Sequence, residues 1–149
     1  MIDLPSPVYW DANLFLAYLE KTPDQFASIA ARLAQTQRHA IPIYTAAVSV
    51  TEVAFFGAER TRGVLDPMIP DRLAALWDDA LIRVIDVTFP VALAARDLVR
   101  RSLLDGPRLR PIDAIHLAAA ASVLVHAFYS YDRSLHRHSR RYGFVIADP

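Results

Sequence analysis

The fold is decided by residues 111–132, PIDAIHLAAAASVLVHAFYSYD. Behind its leading proline, the first half is rich in alanine and leucine, which predicts a helix over residues 111–124. The second half is a short apolar and aromatic run, which predicts a buried strand over residues 125–131. A helix that leads directly into a buried strand is typical of α/β folds. Acidic residues stand at both ends of this unit, Asp113 in the first helical turn and Asp132 directly after the strand.

Working outward, the same alternation of helix and strand covers the rest of the chain. Further strands are predicted at residues 8–10, 40–44, 81–87 and 144–147. Further helices are predicted at residues 14–20, with Asn13 as the cap, and at residues 22–38, 71–80 and 90–104. Another predicted helix starts at Thr45 or Ser49, contains Glu52 and runs to residue 60. A short basic helix or turn is predicted at residues 133–141. This order favours a single α/β domain over residues 1–149, a sandwich with a mainly parallel sheet.

Composition excludes several classes of protein. The 149 residues contain no cysteine, so disulfides and thiolate zinc sites are ruled out. No apolar run reaches the roughly 18 residues of a membrane span, so no membrane segment is expected. The start MIDLPSPVYWD lacks a basic region followed by an apolar stretch, so we expect no secretory signal and a cytoplasmic protein.

The formal net charge of zero hides an asymmetry along the chain. Residues 1–95 carry 7 Lys and Arg against 11 Asp and Glu, whereas residues 96–149 carry 9 Arg against 5 Asp. Only Lys21 is a lysine, and arginine presents a planar fork of donors that suits phosphate. A genome rich in G and C, which favours arginine codons, is the alternative explanation.

Four acidic residues interrupt apolar segments that normally exclude charge: Asp11, Glu52, Asp113 and Asp132. Asp11 and Asp132 follow predicted strands, and ligands of α/β sheets bind at the carboxyl ends of strands. Four carboxylates at one edge would repel one another unless a cation compensates them. Mg²⁺ and Mn²⁺ prefer oxygen ligands, so the pattern favours a site in which the metal activates a water molecule.

Each of these residues also has a purely structural explanation. Asp11 could cap a helix, Glu52 could be an exposed helix charge, Asp113 could complement a helix dipole, and Asp132 could be a turn residue. For His116, one turn after Asp113, a packed histidine with a local hydrogen bond is favoured over catalysis. The pair His136 and His138 is interpreted as part of a solvated basic surface, because residues two apart do not share a helix face.

In order and spacing, these motifs resemble the PIN-domain ribonucleases, most closely the VapC-type toxins of toxin–antitoxin pairs, over residues 8–145. Asp113-Ala114-Ile115-His116-Leu117-Ala118 is very similar to the DAIHLA stretch of that family. The other three matches are Asp11-Ala12-Asn13 to a D-x-(S/T/N) start, Thr51-Glu52-Val53 to a helical glutamate, and Ser130-Tyr131-Asp132 to a (T/S)-x-D strand end.

The resemblance implies a three-layer α/β/α PIN fold and endonucleolytic cleavage of RNA that depends on Mg²⁺ or Mn²⁺. By position, the same four carboxylates would form the catalytic and metal-binding set, and Asn13 and Ser130 would support the ligands. Asn13 stands where the family often has Ser or Thr. The resemblance also implies a homodimer and an antitoxin whose C-terminal segment covers a basic groove.

Arginines flank the proposed ligands and predict where RNA phosphates would pass: Arg108, Arg110, Arg133 and Arg137. Two alternatives stay open, a PIN nuclease of RNA maturation or DNA without an antitoxin, and a catalytically silent module that binds RNA or protein. A phosphatase of the haloacid-dehalogenase type also begins with a strand and an aspartate. It needs a second aspartate where this chain has Asn13.

Overall fold

The computed structural model describes residues 6–149 and shows a five-stranded sheet in the order β3-β2-β1-β4-β5. Every pair of neighbouring strands is parallel, which confirms the predicted α/β class. The strands are β1 Val8–Trp10, β2 Ile43–Ala46, β3 Ile82–Ile85, β4 Ala127–Tyr129 and β5 Val145–Ala147. The helices are α1 Ala12–Leu19, α2 Phe26–Arg38, α3 Val48–Glu52, α4 Gly57–Arg62, α5 Ile69–Trp77, α6 Phe89–Leu104, α7 Pro111–Ser122 and α8 Arg133–His136.

Alternation along the buried strands divides the core into two layers. Tyr9 and Phe128 point to one face of the sheet, where they pack with apolar residues of α6 and α7. Val8 and Trp10 point to the opposite face, where residues of α1, α2 and α5 cover them. Side chains of successive strand residues point to opposite faces, so a strand buried on both faces is apolar throughout. The result is the three-layer α/β/α sandwich that the resemblance implies.

Helix α7 owes its place against the sheet to its small side chains. Ala114, Ala118, Ala119 and Ala120 are all buried, and they let the helix backbone approach the strands closely. Pro111 at the first position needs no hydrogen-bond partner for its nitrogen, which suits a helix start. The helix therefore begins at the predicted residue, with its first turn at the sheet edge.

Two predicted boundaries are wrong in an informative way. Strand β2 begins three residues later than predicted, because residues 39–41 still close helix α2. Ala40 adopts a left-handed φ of 51°, and the amide of Ile41 donates to the carbonyl of Thr36 at 2.9 Å. This is the Schellman arrangement, which glycine usually provides.

The predicted helix that carried Glu52 to residue 60 is broken in two. Helix α3 ends at Glu52, Val53 leaves the helical region with ψ 49°, and α4 starts at Gly57. Buried Glu59 fixes the break, since its carboxylate accepts hydrogen bonds from the amides of Phe56 at 3.1 Å and Asp66 at 2.8 Å. Glu52 therefore lies at the end of a short helix.

Residues 1–5 are not described, so the expectation of no secretory signal falls partly outside the described residues. Across residues 6–149, no helix combines the length and apolar character needed to cross a membrane.

Candidate active site

Asp11 and Asp132 lie beside each other because they follow adjacent parallel strands, β1 and β4. Asp11 is the N-cap of α1 and accepts a hydrogen bond from the amide of Leu14 at 3.4 Å. The hydroxyl of Ser130, which is fully buried, donates to Asp11 and accepts from the amide of Asp132 at 3.0 Å. Ser130 therefore joins the two strand ends.

Asp113 enters the same cleft from the first turn of α7. Its two carboxylate oxygens accept hydrogen bonds from the guanidinium of Arg110, at 2.7 Å from Nε and 3.1 Å from Nη2. The same Nη2 donates to Asp132 at 3.0 Å. One arginine therefore pairs with two of the four predicted carboxylates and offsets one of their two negative charges.

Glu52 reaches the cleft from the end of α3 and is held by His116. Nε2 of His116 lies 2.6 Å from the Glu52 carboxylate, and Nδ1 lies 2.6 Å from the hydroxyl of Tyr9. The Tyr9 hydroxyl also accepts from the amide of Ala46 at 2.8 Å, so its own proton is free to go to Nδ1. His116 then carries its proton on Nε2 and donates it to Glu52. The chain Tyr9–His116–Glu52 fixes the position of this carboxylate.

Burial sets the electrostatics of the cleft. It raises the pKa of Asp11 to about 6, although the hydrogen bond from Ser130 opposes the shift. Burial also raises the pKa of Tyr9 well above its usual value. Partial burial raises the pKa of Asp132, but two hydrogen bonds from Ser134 and the charge of Arg110 outweigh it and leave that pKa below its usual value. Two neighbouring carboxylates thus differ in how readily they ionise.

All four predicted acidic residues line one small cleft of about 170 Å³, together with Asn13, Arg110 and His116. The donors are carboxylate and amide oxygens, the ligands that Mg²⁺ and Mn²⁺ prefer, so the chemistry of the set fits these ions. As the side chains stand, no three acidic or histidine groups within residues 6–149 are close enough to share one ion. Arg110 and His116 instead satisfy three of the carboxylates.

Asn13 is exposed at the mouth of this cleft. The prediction that it caps α1 is wrong, because Asp11 is the extended residue that precedes the helix and accepts the capping bond. Asp11 therefore has the structural role and a place in the cleft at the same time.

Of the predicted RNA-binding arginines, only Arg110 contacts the carboxylates. Arg108, Arg133 and Arg137 are exposed, and Arg133 pairs with Asp148 at 2.8 Å near the C terminus. Arg133 and Arg137 follow Asp132 closely in sequence, but neither lines the cleft.

The prediction of a solvated histidine surface is wrong. His138 is buried and stacks on Tyr142, with ring centroids 6.1 Å apart. His136 is partly buried and bonds the carbonyl of Ser130 at 2.7 Å. Burial followed by the charge of Arg141 lowers the pKa of His138, which favours its neutral form.

Two contributions to the site were missed or underweighted from sequence. The bonds of His116 are not local, since Tyr9 and Glu52 are 107 and 64 residues away. Arg110 was expected to contact RNA, and its pairing with Asp113 was not foreseen. The spacing of Arg110 and Asp113, three residues apart at a helix start, was the available signal for that pair.

The family model for the PIN domain matches residues 8–141, so the chain belongs to the PIN domain family. No curated protein is significantly similar to it in sequence.

Solved structures of the same fold include toxin–antitoxin proteins. VapBC2 of Rickettsia felis, bound to a DNA fragment from its promoter, matches with a TM-score of 0.69 and 10% identity, covering 95% of this chain and 98% of the other. VapC20 of Mycobacterium tuberculosis, a toxin that cleaves the sarcin-ricin loop, matches with a TM-score of 0.69 and 17% identity over 95% and 99%. DNA-bound VapBC of Salmonella typhimurium gives 0.60 and 17% over 97% and 98%.

Proposed function

We propose that the protein is a metal-dependent endoribonuclease, the toxin of a toxin–antitoxin pair, that hydrolyses RNA phosphodiester bonds. The observation that carries this proposal is the convergence of Asp11, Glu52, Asp113 and Asp132 on one cleft at the carboxyl edge of a PIN sheet. Membership of the PIN family and the likeness to VapC toxins support it.

The four carboxylates would hold Mg²⁺ or Mn²⁺, which supplies a water nucleophile at neutral pH and offsets the charge of the phosphate. The residues of this chain prepare the site. Ser130 fixes Asp11 against Asp132, and the Tyr9–His116 pair fixes Glu52. Such fixed positions lower the cost of assembling the site during the reaction.

Exposed arginines beside the cleft would guide the RNA strand. Arg108, Arg133 and Arg137 are exposed and lie within five residues in sequence of Asp113 or Asp132. Phosphate contacts of this kind position a substrate without reading its sequence, and they weaken as salt rises.

An antitoxin partner and a homodimer complete the proposal. Apolar side chains are exposed around α3–α5: Val50, Phe55, Val64, Leu65 and Met68. Leu65 has 71% of its surface exposed, and such patches often mark interfaces. Residues 53–56 and 73–77 are also apolar and aromatic in sequence and are further candidates for such a patch. Val53 and Phe56 are in fact buried, and Trp77 packs on the core.

The proposal is tested by cleavage of a total-RNA pool at low salt by the antitoxin-free protein, with Mg²⁺, Mn²⁺ or EDTA. Asp113→Asn removes one carboxylate charge from the cleft with little change of shape. Asp97→Asn is the matched control, since Asp97 lies on α6 with its side chain 47% exposed and pairs with Arg96. Melting curves establish that each variant is folded.

Discrete fragments from the wild type and Asp97→Asn, absent with EDTA and with Asp113→Asn, are the expected result. Cleavage that persists in EDTA would contradict the role of the metal. Equal cleavage by folded Asp113→Asn would contradict the role assigned to the carboxylates.

One observation favours a second candidate, a silent module that binds RNA or protein. Arg110 and His116 form hydrogen bonds to three of the carboxylates. These three carboxylates therefore need no metal ion to offset the cost of their burial. Binding of RNA by the wild type without cleavage under any metal condition would support that candidate.

A further inference from the structure

Arg110 occupies the position between two of the carboxylates that the proposed metal site requires. Its guanidinium takes both oxygens of Asp113 and one oxygen of Asp132, at 2.7 to 3.1 Å. The other oxygen of Asp132 accepts two bonds from Ser134, at 2.8 Å from the amide and 2.6 Å from the hydroxyl. A cation that binds Asp113 would therefore lie against the guanidinium of Arg110, whose positive charge repels it.

The side chain of Arg110 is able to leave. It is 66% exposed, whereas the side chain of Asp113 is only 10% exposed. The backbone of Arg110 is anchored, because its carbonyl accepts the amide of Ala114 at 3.0 Å in the first turn of α7. The guanidinium can thus turn toward solvent about a fixed point while Asp113 stays in the cleft.

We propose that Arg110 exchanges partners: it pairs with Asp113 and Asp132 in the metal-free protein, and with an RNA phosphate once a divalent ion is bound. This inference rests on the proposed nuclease function. A cation beside the guanidinium would repel it. A phosphate of the RNA bound at the cleft would then be the anion available to pair with it. The planar guanidinium that donates to both oxygens of Asp113 can donate to two oxygens of a phosphate in the same way.

The exchange couples the two ligands of the site. An ion that binds without RNA must first displace Arg110, so its affinity is reduced by the lost pairing. With RNA present the displaced guanidinium gains a new partner, and binding of ion and RNA becomes mutually favourable. Arg110 would act both as the counter-ion of Asp113 and Asp132 before an ion binds and as a contact to the substrate.

The test compares Arg110→Gln with wild type and with Arg96→Gln, which removes the same charge from the surface of α6. Mn²⁺ binding without RNA is followed by titration calorimetry. RNA binding is followed by fluorescence anisotropy of a labelled 2′-O-methyl oligoribonucleotide, with Mn²⁺ and with EDTA, and gels establish that the probe stays intact. Melting curves in EDTA establish the fold of each variant.

We expect Arg110→Gln to bind Mn²⁺ roughly tenfold more tightly than wild type, the effect of losing one charge-assisted pairing. Its RNA affinity should fall more with Mn²⁺ than with EDTA, and the slope of log affinity against log salt in Mn²⁺ should drop by about one. Arg96→Gln should leave Mn²⁺ affinity unchanged and affect RNA binding equally in both conditions.

Unchanged or weaker Mn²⁺ binding by Arg110→Gln would overturn the exchange while leaving the nuclease proposal intact. An equal loss of RNA affinity with and without Mn²⁺ would overturn the phosphate contact. A wild type that binds no Mn²⁺ and cleaves no RNA would remove the nuclease proposal and the exchange together. Should Arg110→Gln not fold, Arg110→Lys keeps the charge without the planar fork; it should bind Mn²⁺ more tightly than wild type, by a smaller factor, and leave the salt slope of RNA binding unchanged, and unchanged or weaker Mn²⁺ binding would overturn the exchange.

Discussion

Replacing Asp11 by asparagine should change how the stability of the metal-free protein depends on pH. Burial raises the pKa of Asp11 to about 6 from its ordinary value of 3.8, which the unfolded chain retains. Between about pH 4 and pH 6 the folded protein therefore binds a proton that the unfolded chain has released. Stability falls as pH rises wherever the folded state binds more protons, so wild type loses stability across this window.

The magnitude follows from the shift in pKa. About two pKa units at roughly 1.4 kcal/mol each give a loss of about 2 to 3 kcal/mol between pH 4 and pH 7. The asparagine side chain of the Asp11→Asn variant does not ionise, so the variant lacks this loss. Its free energy of unfolding should rise relative to wild type by the same amount across the window.

Urea denaturation at a series of pH values in EDTA measures this difference directly. Other titrating groups contribute to both proteins and largely cancel, so the difference isolates Asp11. Asp97→Asn on α6 is the control. Its free energy of unfolding should differ from that of wild type by an amount nearly independent of pH.

A pH-independent difference for Asp11→Asn would refute the argument that burial dominates at this carboxyl. The opposite slope would mean that the bonds from Ser130 and Leu14 stabilise the ionised form more than burial destabilises it. With Mn²⁺ present, the loss in wild type should shrink if the ion binds there, because an ion favours the ionised carboxylate.

Two further predictions concern the packing that positions the site. Tyr9→Phe leaves the buried amide of Ala46 and Nδ1 of His116 without their hydrogen-bond partner. Urea denaturation should therefore show a free energy of unfolding lower by about 1 to 3 kcal/mol, and Mn²⁺ binding should be weaker. An unchanged urea midpoint would show that water replaces the hydroxyl. Ala119→Leu forces a larger side chain between α7 and the sheet and should lower the free energy of unfolding by about 1 to 3 kcal/mol. Ala121 is exposed, so Ala121→Leu should lower it little. Equal melting temperatures of the two variants would contradict the close packing.

The strands and the helix that bring acidic residues to the cleft are predictable from the sequence. Asp11 and Asp132 were placed at strand ends because an apolar run followed by an acid is a local signal, and parallel strands bring such ends to one edge. The start of α7 at Pro111 was predicted for the same kind of reason, a proline followed by an apolar helical pattern.

The break after Glu52 had no local signal. Residues 53–56 are apolar and compatible with a helix, and the interruption is fixed by distant bonds. Glu59 holds the amides of Phe56 and Asp66, and the amide of Gly57 donates to Glu20. The partners of His116 are likewise distant in sequence, so pattern alone predicted a local bond where the structure has a connected network.

The order of the strands has a consequence for synthesis of the protein. β1 lies between β2 and β4, so Val8 in β1 pairs on one side with Ala127 in β4, which is far later in the sequence. Asp11 cannot meet Ser130 and Asp132 until both strands have left the ribosome, and closing so long a loop is slow. A partly synthesised chain therefore lacks half of its carboxylate cleft. Any activity that needs the cleft begins only after residues 127–132 have left the ribosome.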